Sequence, residues 1–498
     1  MSSINRRDFM KSSIFAGAAF AMATPFSRAR GANDDIRIAV IGTGSKGSDH
    51  CNQWSGMQGV RLVAICDADE SHLNIRVGGG GRGFGRGGQT TAQPQQELQK
   101  YTDLRKLLEN KDIDAVSTAT PNHWHALVTV LACQAGKDVY TEKPACHEIW
   151  EGRKMVEAAR KYNRIVQVGT QRRSSGSYIN GYKYIKEGKI GAIKWSRGFC
   201  YKERGPGSNG IVNATNGPNI LPPSIHYDLW CGPAEMKPLR RRELHYKWHW
   251  VWNTGCGDIG NQGIHEMDEA RWALGDPGLP EHVISIGGRF GVNDAGETPN
   301  TQIVYLDYKP APLIFEVQGL PAVKGQRGLN QYRGIRVGVV IQCENGYFAG
   351  GEGGGSIFDN DGNRIYNPGS DGGGSHFENF ITAVRSRNVG DLNADIEVGH
   401  KSAGLVHMAN ISYRLGKHAT ADEIRSTISD KPEFLDSFNR MVEHLNANEI
   451  DFEKEPLTIG PMLTMDSKTE KFTGDYGEVA NMYLKRNYRE PFVIPDEV

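Results

Sequence analysis

Three glycines and one aspartate carry the clearest chemistry in this chain. Gly42-x-Gly44-x-x-Gly47 follows directly on an apolar run, Ile36, Ile38, Ala39, Val40 and Ile41. The first glycine permits a tight turn, the second lets a pyrophosphate approach the backbone, and the third lets the next helix pack close. A phosphate would rest on that helix's N-terminus, where free N–H groups and the dipole favour an anion. Gly42, Thr43, Gly44, Lys46 and Gly47 are therefore expected to hold a dinucleotide. A second apolar run, Leu62 to Cys66, ends at Asp67, twenty residues past Gly47. A carboxylate there binds the adenosine ribose and repels a 2′-phosphate, so NAD is expected rather than NADP.

A second set of residues could contact a substrate. Trp248-His249-Trp250-x-Trp252 offers aromatic faces on which a sugar ring can stack; core packing of an irregular loop explains the run equally well. Alternation would send successive side chains to opposite faces, and Trp250 is taken as a cleft residue. His226, Tyr227, Tyr201 and Lys202 are further cleft candidates. Gln171, Arg172 and Arg173 follow a strand end and can meet substrate hydroxyls or tie two domains together. The eight cysteines are scattered with no C-x-x-C pair, so no zinc, redox or other metal site is expected.

These residues need elements to position them. From Asp34 to about Gly169 strands and helices alternate, which implies parallel pairing with right-handed crossovers. Helices are expected at Tyr101 to Asn110, Ala126 to Ala135 and His147 to Tyr162. Thr120-Pro121-Asn122-His123-Trp124-His125 follows the strand Ile113 to Thr118, where ligand contacts gather in doubly wound sheets. Gly78 to Gly88 is a low-complexity insertion. Past Thr170 the rhythm changes to strand-like runs with few helices between them, at His282 to Phe290, Gln302 to Tyr308, Leu313 to Gln318, Ile335 to Gln342 and Gly346 to Ala349. An open, mostly antiparallel sheet is expected there. The last eighty residues are polar with scattered apolar anchors and are expected to wrap the body.

Composition narrows the function. Of 498 residues, 58 are Lys or Arg and 58 are Asp or Glu, so no basic excess exists for a nucleic-acid partner. Arg6-Arg7-Asp8-Phe9-Met10-Lys11 precedes a weakly apolar stretch and a small-x-small site, Ser27-Arg28-Ala29. The stretch is too short to span a membrane, and the pattern resembles a twin-arginine export signal over residues 1–32. That signal implies the twin-arginine machinery as a partner and a periplasmic or otherwise exported location. As that route carries folded proteins, a nicotinamide enzyme using it has to keep its cofactor bound.

The glycine turn, Thr120-Pro121-x-x-x-His125, Glu142-Lys143-Pro144 and Gly263-x-His265 occur in that order at fitting intervals. Together they resemble the Gfo/Idh/MocA family of sugar and cyclitol oxidoreductases, over residues 34 to roughly 415. The resemblance implies an α/β architecture. A doubly wound Rossmann domain (33–169) precedes an α+β substrate domain with a large open sheet (170–415), and a C-terminal extension (416–498) follows. It implies that Thr120, Pro121, Asn122, His125, Glu142 and Lys143 join the cofactor site. Lys143 would stabilise charge on the reacting oxygen, with Pro144 in cis. His265 would take the hydroxyl proton, since imidazole titrates near neutrality. Many relatives carry Asp-x-x-x-His; this chain has Asn261 at the first position, which orients by hydrogen bonds but takes no proton. Asp258 or Asp268 are candidates to compensate, Asp268 equally as a helix cap. The resemblance also implies a homo-oligomer packed through the open sheet. The expected function is NAD-dependent hydride transfer on a sugar, sugar derivative or cyclitol. Redox-neutral glycoside hydrolysis with retained NAD and non-catalytic sugar binding are the alternatives.

Overall fold

The computed structural model describes residues 34–74, 97–369 and 375–498. The stretch expected to be an export signal (1–32) and the glycine-rich insertion (78–88) lie outside the described residues.

The first domain is built on β1 (Ile36–Ile41), buried at every position but Arg37. Its neighbours are β2 (Val60–Cys66), β3 (Gln99–Tyr101), β4 (Ala115–Thr118), β5 (Asp138–Thr141) and β6 (Val166–Val168). All pair in parallel in the order β3-β2-β1-β4-β5-β6. Helices α1 (Ser45–Ser55), α2 (Leu104–Leu108), α3 (Asn122–Gln134) and α4 (Ile149–Lys161) connect them. The chain direction across the sheet reverses between β1 and β4. That switch point opens a crevice at the carboxyl ends of these strands. Two boundaries differ from expectation. Tyr101 belongs to β3, and Asp103 caps α2 by accepting from Arg105 N, so this helix is shorter. Helix α3 begins at Asn122, so His125 lies in its first turn rather than in the preceding loop.

The second domain carries a twelve-stranded sheet. Its elements are α5 (Gly176–Lys186), β7 (Ile193–Tyr201), α6 (Tyr227–Cys231), α7 (Gly257–Asn261), α8 (Gly263–Ala273), β8 (His282–Gly288), β9 (Thr301–Leu306), β10 (Leu313–Gln318), β11 (Val337–Cys343), β12 (Gly346–Gly351), β13 (Gly354–Phe358) and β14 (Arg364–Tyr366). The sheet is antiparallel except where β7 meets β10. Helices α9 (His376–Ser386) and α10 (Ile396–Arg414) follow. Period-two alternation shows on β10. Leu313, Phe315 and Val317 face α8 and α10, while Ile314 faces the other way.

The last eighty residues do more than wrap. β15 (Lys417–His418), β16 (Thr458–Ile459), β17 (Leu463–Asp466) and β18 (Lys471–Thr473) extend the large sheet. Helices α11 (Ala421–Thr427) and α12 (Pro432–Ala447) lay Ile424, Phe434, Phe438 and Met441 over Ile284, Ile303, Ile314 and Val340. The outer sheet face, expected to be open for a second subunit, is therefore covered along this stretch by the chain itself. Beyond α13 (Gly477–Asn481) the tail returns to the first domain and buries Phe492, Ile494 and Val498 there. Among the described residues no helix is long and apolar enough to cross a membrane.

Candidate active site

The crevice at the switch point deepens into a cavity of about 630 Å³ between the two domains. The glycine turn forms its floor. Gly42 has φ +80°, and a Cβ there would stand 2.8 Å from Thr120 N. A Cβ on Gly47 would stand 1.8 Å from Gly42 O, so α1 packs against the turn only with glycine. At Gly44 the nearest atom is 3.6 Å away, which leaves a hollow above the turn. Gly44 is also the N-cap of α1 and gives its first amides no side-chain partner. A hollow beside free helix N–H groups fits a pyrophosphate. Asn122 Oδ1, buried at the cavity wall without a partner, is one more polar atom suited to a ligand.

Asp67, at the end of β2, lines the cavity and holds the turn. Its Oδ2 accepts from Thr43 N (2.7 Å) and lies 3.2 Å from His72 Nδ1, and its Oδ1 accepts from Asp69 N (2.9 Å). Thr43 and Gly47 act from behind the wall rather than on it. Lys46, Thr120, Pro121 and Asn122 line the cavity. His125 does too, but its ring nitrogens sit 2.7 Å from Pro144 O and 2.9 Å from Thr120 O. It ties the turn after β4 to the turn after β5.

Glu142 and Lys143 follow β5, and the Lys143–Pro144 peptide is cis. Burial alone would raise the Glu142 carboxyl. His50 Nε2, donating at 3.0 Å, overrides that and holds it far below the usual carboxylate range. The His50 ring is set in turn by Ser117 Oγ at 2.8 Å from Nδ1. Lys143 Nζ donates to the backbone O of Asn261 at 2.7 Å, which pins the ammonium across the domain boundary. Burial lowers its pKa, and the Glu142 charge offsets part of that.

Asn261 ends α7 and His265 sits in the first turn of α8, and both side chains face the cavity. Burial, and then the positive charges of Lys143 and Arg172, push the His265 ring well below its ordinary value. A network runs behind it. Lys202 Nζ donates to Gln262 Oε1 (2.9 Å), Gln262 Nε2 donates to Glu266 Oε1 (3.0 Å), and Arg172 pairs with Glu266 (3.1 Å) and Glu269 (2.6 Å).

Five expected substrate contacts lie elsewhere. Arg172 belongs to the network just described. Asp258 is buried in an ion pair with Arg204 (2.7 Å). Trp250 is fully buried beneath the same arginine, at 5.4 Å from its ring. Tyr201 points to the outer face of the sheet and donates to Glu316 Oε2 (2.5 Å). His226 pairs with Glu70 (2.7 Å) outside the cavity. Asp268 does not compensate for Asn261, because Arg173 and Ser402 engage it. The reading of Trp250 fails because Lys247–Trp250 is a 3-10 turn, not an extended run. Three residues per turn bring Trp248 and His249 to the cavity and send Trp250 into the core.

His249 went unrecognised as a site residue. Its Nδ1 donates to Tyr246 O (2.6 Å), which leaves a lone pair on Nε2, and Trp248 stacks on the ring at 3.6 Å. Burial pushes its pKa down to about 3. The signal was present in the Trp-His-Trp run, but the aromatics masked it.

Residues 36–170 match the family model described as an oxidoreductase family, NAD-binding Rossmann fold. Residues 192–307 match its partner, the C-terminal alpha/beta domain of the same family. The chain belongs to the Gfo/Idh/MocA oxidoreductase family. Its first domain is therefore the NAD-binding Rossmann fold of that family. Among relatives, inositol 2-dehydrogenase 1 of Saccharopolyspora erythraea is 32% identical over 168 residues, 31% of this chain and 43% of that protein. A glycosyl hydrolase family 109 protein of a Shewanella species is 30% identical over 128 residues, 26% of this chain and 27% of its own. The chain thus spans less than half the length of either relative. The WlbA dehydrogenase of Bordetella pertussis, solved with NADH and UDP-GlcNAcA, superposes with a TM-score of 0.54 at 19% identity, covering 76% of this chain and 97% of that one. At that identity the likeness concerns the fold.

Proposed function

We propose that this protein is an NAD-dependent oxidoreductase acting on a CH–OH group of a sugar, sugar derivative or cyclitol. We further propose that it works outside the cytoplasm after twin-arginine export and keeps its NAD bound. One observation carries the reading: Lys143, Asn261 and His265 share a single cavity with the glycine turn and Asp67. Gly44 and the first amides of α1 would hold the pyrophosphate, and Asp67 the adenosine ribose. When bound, the nicotinamide supplies the acceptor for hydride from the carbinol carbon. His265 accepts the hydroxyl proton, since its ring is held neutral and open to the cavity. The Lys143 ammonium, pinned by Asn261 O, steadies negative charge as it develops on the substrate oxygen. The free Asn261 amide orients a neighbouring hydroxyl. Trp248 gives the ring an apolar face.

The test is a panel of sugars and cyclitols with absorbance read at the nicotinamide band. Some member should reduce NAD stoichiometrically, and Lys143→Ala should abolish the signal. Silence across a broad panel counts heavily against the reading. The spectrum and mass of whatever denaturation releases from the purified protein tests retention.

Redox-neutral glycoside cleavage is the second reading. It is favoured by two neutral imidazoles, His249 and His265, on one cavity, and by the likeness to the Shewanella protein. Aglycone release from an aryl glycoside without net NADH supports it; no release from any glycoside tested sinks it.

A further inference from the structure

We propose that Asp69, His72 and His245 bind one divalent metal ion of the zinc class, which clips the second domain onto the first at the mouth of the cavity. Asp69 and His72 follow β2; His245 comes from the segment that crosses over from the second domain. Their ligand atoms all lie within 4.8 Å of one another. Tetrahedral zinc with bonds near 2.0–2.1 Å sets its ligand atoms roughly 3.3 Å apart. Small side-chain rotations close that gap.

The hydrogen bonds orient each donor. Asp69 Oδ1 is filled by Ser71 N (3.0 Å) and Ser71 Oγ (2.7 Å). Asp69 Oδ2 accepts from His245 Nε2 (2.9 Å), a hydrogen that a bound metal would displace, and lies 3.9 Å from His72 Nε2. His72 Nδ1 lies 3.2 Å from Asp67 Oδ2. A carboxylate only accepts, so Nδ1 carries the hydrogen, and Nε2 faces the Asp69 oxygen at 3.9 Å, too far for a direct hydrogen bond. That gap is wide enough for an ion that both atoms could ligate. A carboxylate behind a histidine is also the usual outer partner that fixes a metal-binding tautomer. Two imidazoles and one carboxylate suit zinc better than magnesium or calcium.

The backbone holds these segments together already. Asp69 bridges Ile225, Glu70 N donates to Ser224 O (2.9 Å), and His226 N donates to Ala68 O (2.8 Å). Tyr246 takes a left-handed φ of 63° directly after His245. That costs a tyrosine energy, and such outliers concentrate at ligand clamps. His72 and His245 both line the main cavity, so a fourth coordination position opens into it. A clip here fastens the crossing segment above the glycine turn, because His72 Cε1 is the atom nearest to where a Gly44 Cβ would stand.

The experiment uses the full chain without a histidine tag, dialysed against micromolar Zn²⁺ and, separately, Co²⁺. Metal content is read by mass spectrometry and cobalt geometry from its visible bands. The expected result is one equivalent per chain and a four-coordinate cobalt spectrum. Asp69→Asn, His72→Gln and His245→Gln should each weaken binding by more than about tenfold, while His226→Gln, on the same seam but outside the triad, keeps it. Melting curves without metal guard against misfolding: the variants should melt with the metal-free parent, and metal should raise only the parent's Tm. Less than a tenth of an equivalent retained, or equal retention by the triad variants, overturns the proposal and leaves a hydrogen-bonded clasp protonated on His72.

Discussion

At the residue scale, His265 decides the pH behaviour. Burial and the neighbouring cations depress its pKa, so the neutral, proton-accepting form persists as pH falls below 6.5. Turnover limited by this base should hold level from pH 7 to pH 5.5. A fall with a midpoint near 6.5 in kcat/KM would mean that the ring titrates as in water. His265→Gln should cost about 10²–10⁴ in kcat, the usual contribution of a positioned base, with NAD affinity unchanged. His249→Gln separates the two imidazoles. If only hydride transfer occurs, it should raise KM and leave kcat nearly intact; a matching loss of kcat points to a second proton transfer. The sequence makes Lys143 and His265 legible because each stands in a compact motif. Asp258 and Tyr201 were misread because the groups that claim them, Arg204 and Glu316, lie 54 and 115 residues away. A free carboxylate and a paired one look the same in one dimension.

Among elements, the strand–turn–helix unit makes the sharpest prediction, since its three glycines do different work. Gly42 needs positive φ and close approach to Thr120, and Gly47 has Gly42 O where a Cβ would go. Gly44 has φ −60° and nothing nearer than 3.6 Å. Gly44→Ala should therefore leave Tm nearly unchanged yet weaken NAD binding, by filling the hollow. Gly42→Ala and Gly47→Ala should destabilise the fold itself, by more than about 1 kcal/mol. Unfolding curves and NAD titrations on the three variants check this; equal effects on all three sink the assignment. This unit was readable because period and punctuation lie within a dozen residues. The covering of the large sheet was not. Phe434, Phe438 and Met441 form an ordinary helical stripe on α12, and nothing local says that it packs on Ile284, Ile303 and Ile314, strand residues more than a hundred positions upstream.

Over the whole molecule, the buried histidines set the response to acid. His123 and His249 are pushed down to about 3, and His407 and His444 to about 4, in each case first by burial. Their unfolded value is near 6.5. Between 6.5 and 4 the unfolded chain binds protons that the folded chain refuses, so stability is present above 6.5 and is lost as pH falls. Glu269 opposes this. Burial pushes it up to about 8, so it contributes stability that is lost as pH rises from 4.5 to 8. Glu151 and Glu266, likewise raised by burial, act with it, while His125, His147, His265, His376 and His400, all lowered by burial, add to the four histidines. Each histidine kept uncharged by the fold adds up to about 1.4 kcal/mol per pH unit to the slope. The depressed carboxylates add nothing until lower pH; Asp69, held to about 2 by hydrogen bonds that outweigh its burial, loses its share only below about 3.8. Tm should therefore fall between pH 6.5 and 5, before any of the depressed carboxylates titrates. His444 isolates the cause. It sits on the buried face of α12, far from the cavity, where Asn330 Nδ2 donates to its Nδ1 at 3.0 Å. His444→Gln should shallow the slope by about one proton while leaving NAD binding untouched. A profile flat to pH 5, or one unchanged by that substitution, would show that water reaches these rings and that the extension does not seal the sheet.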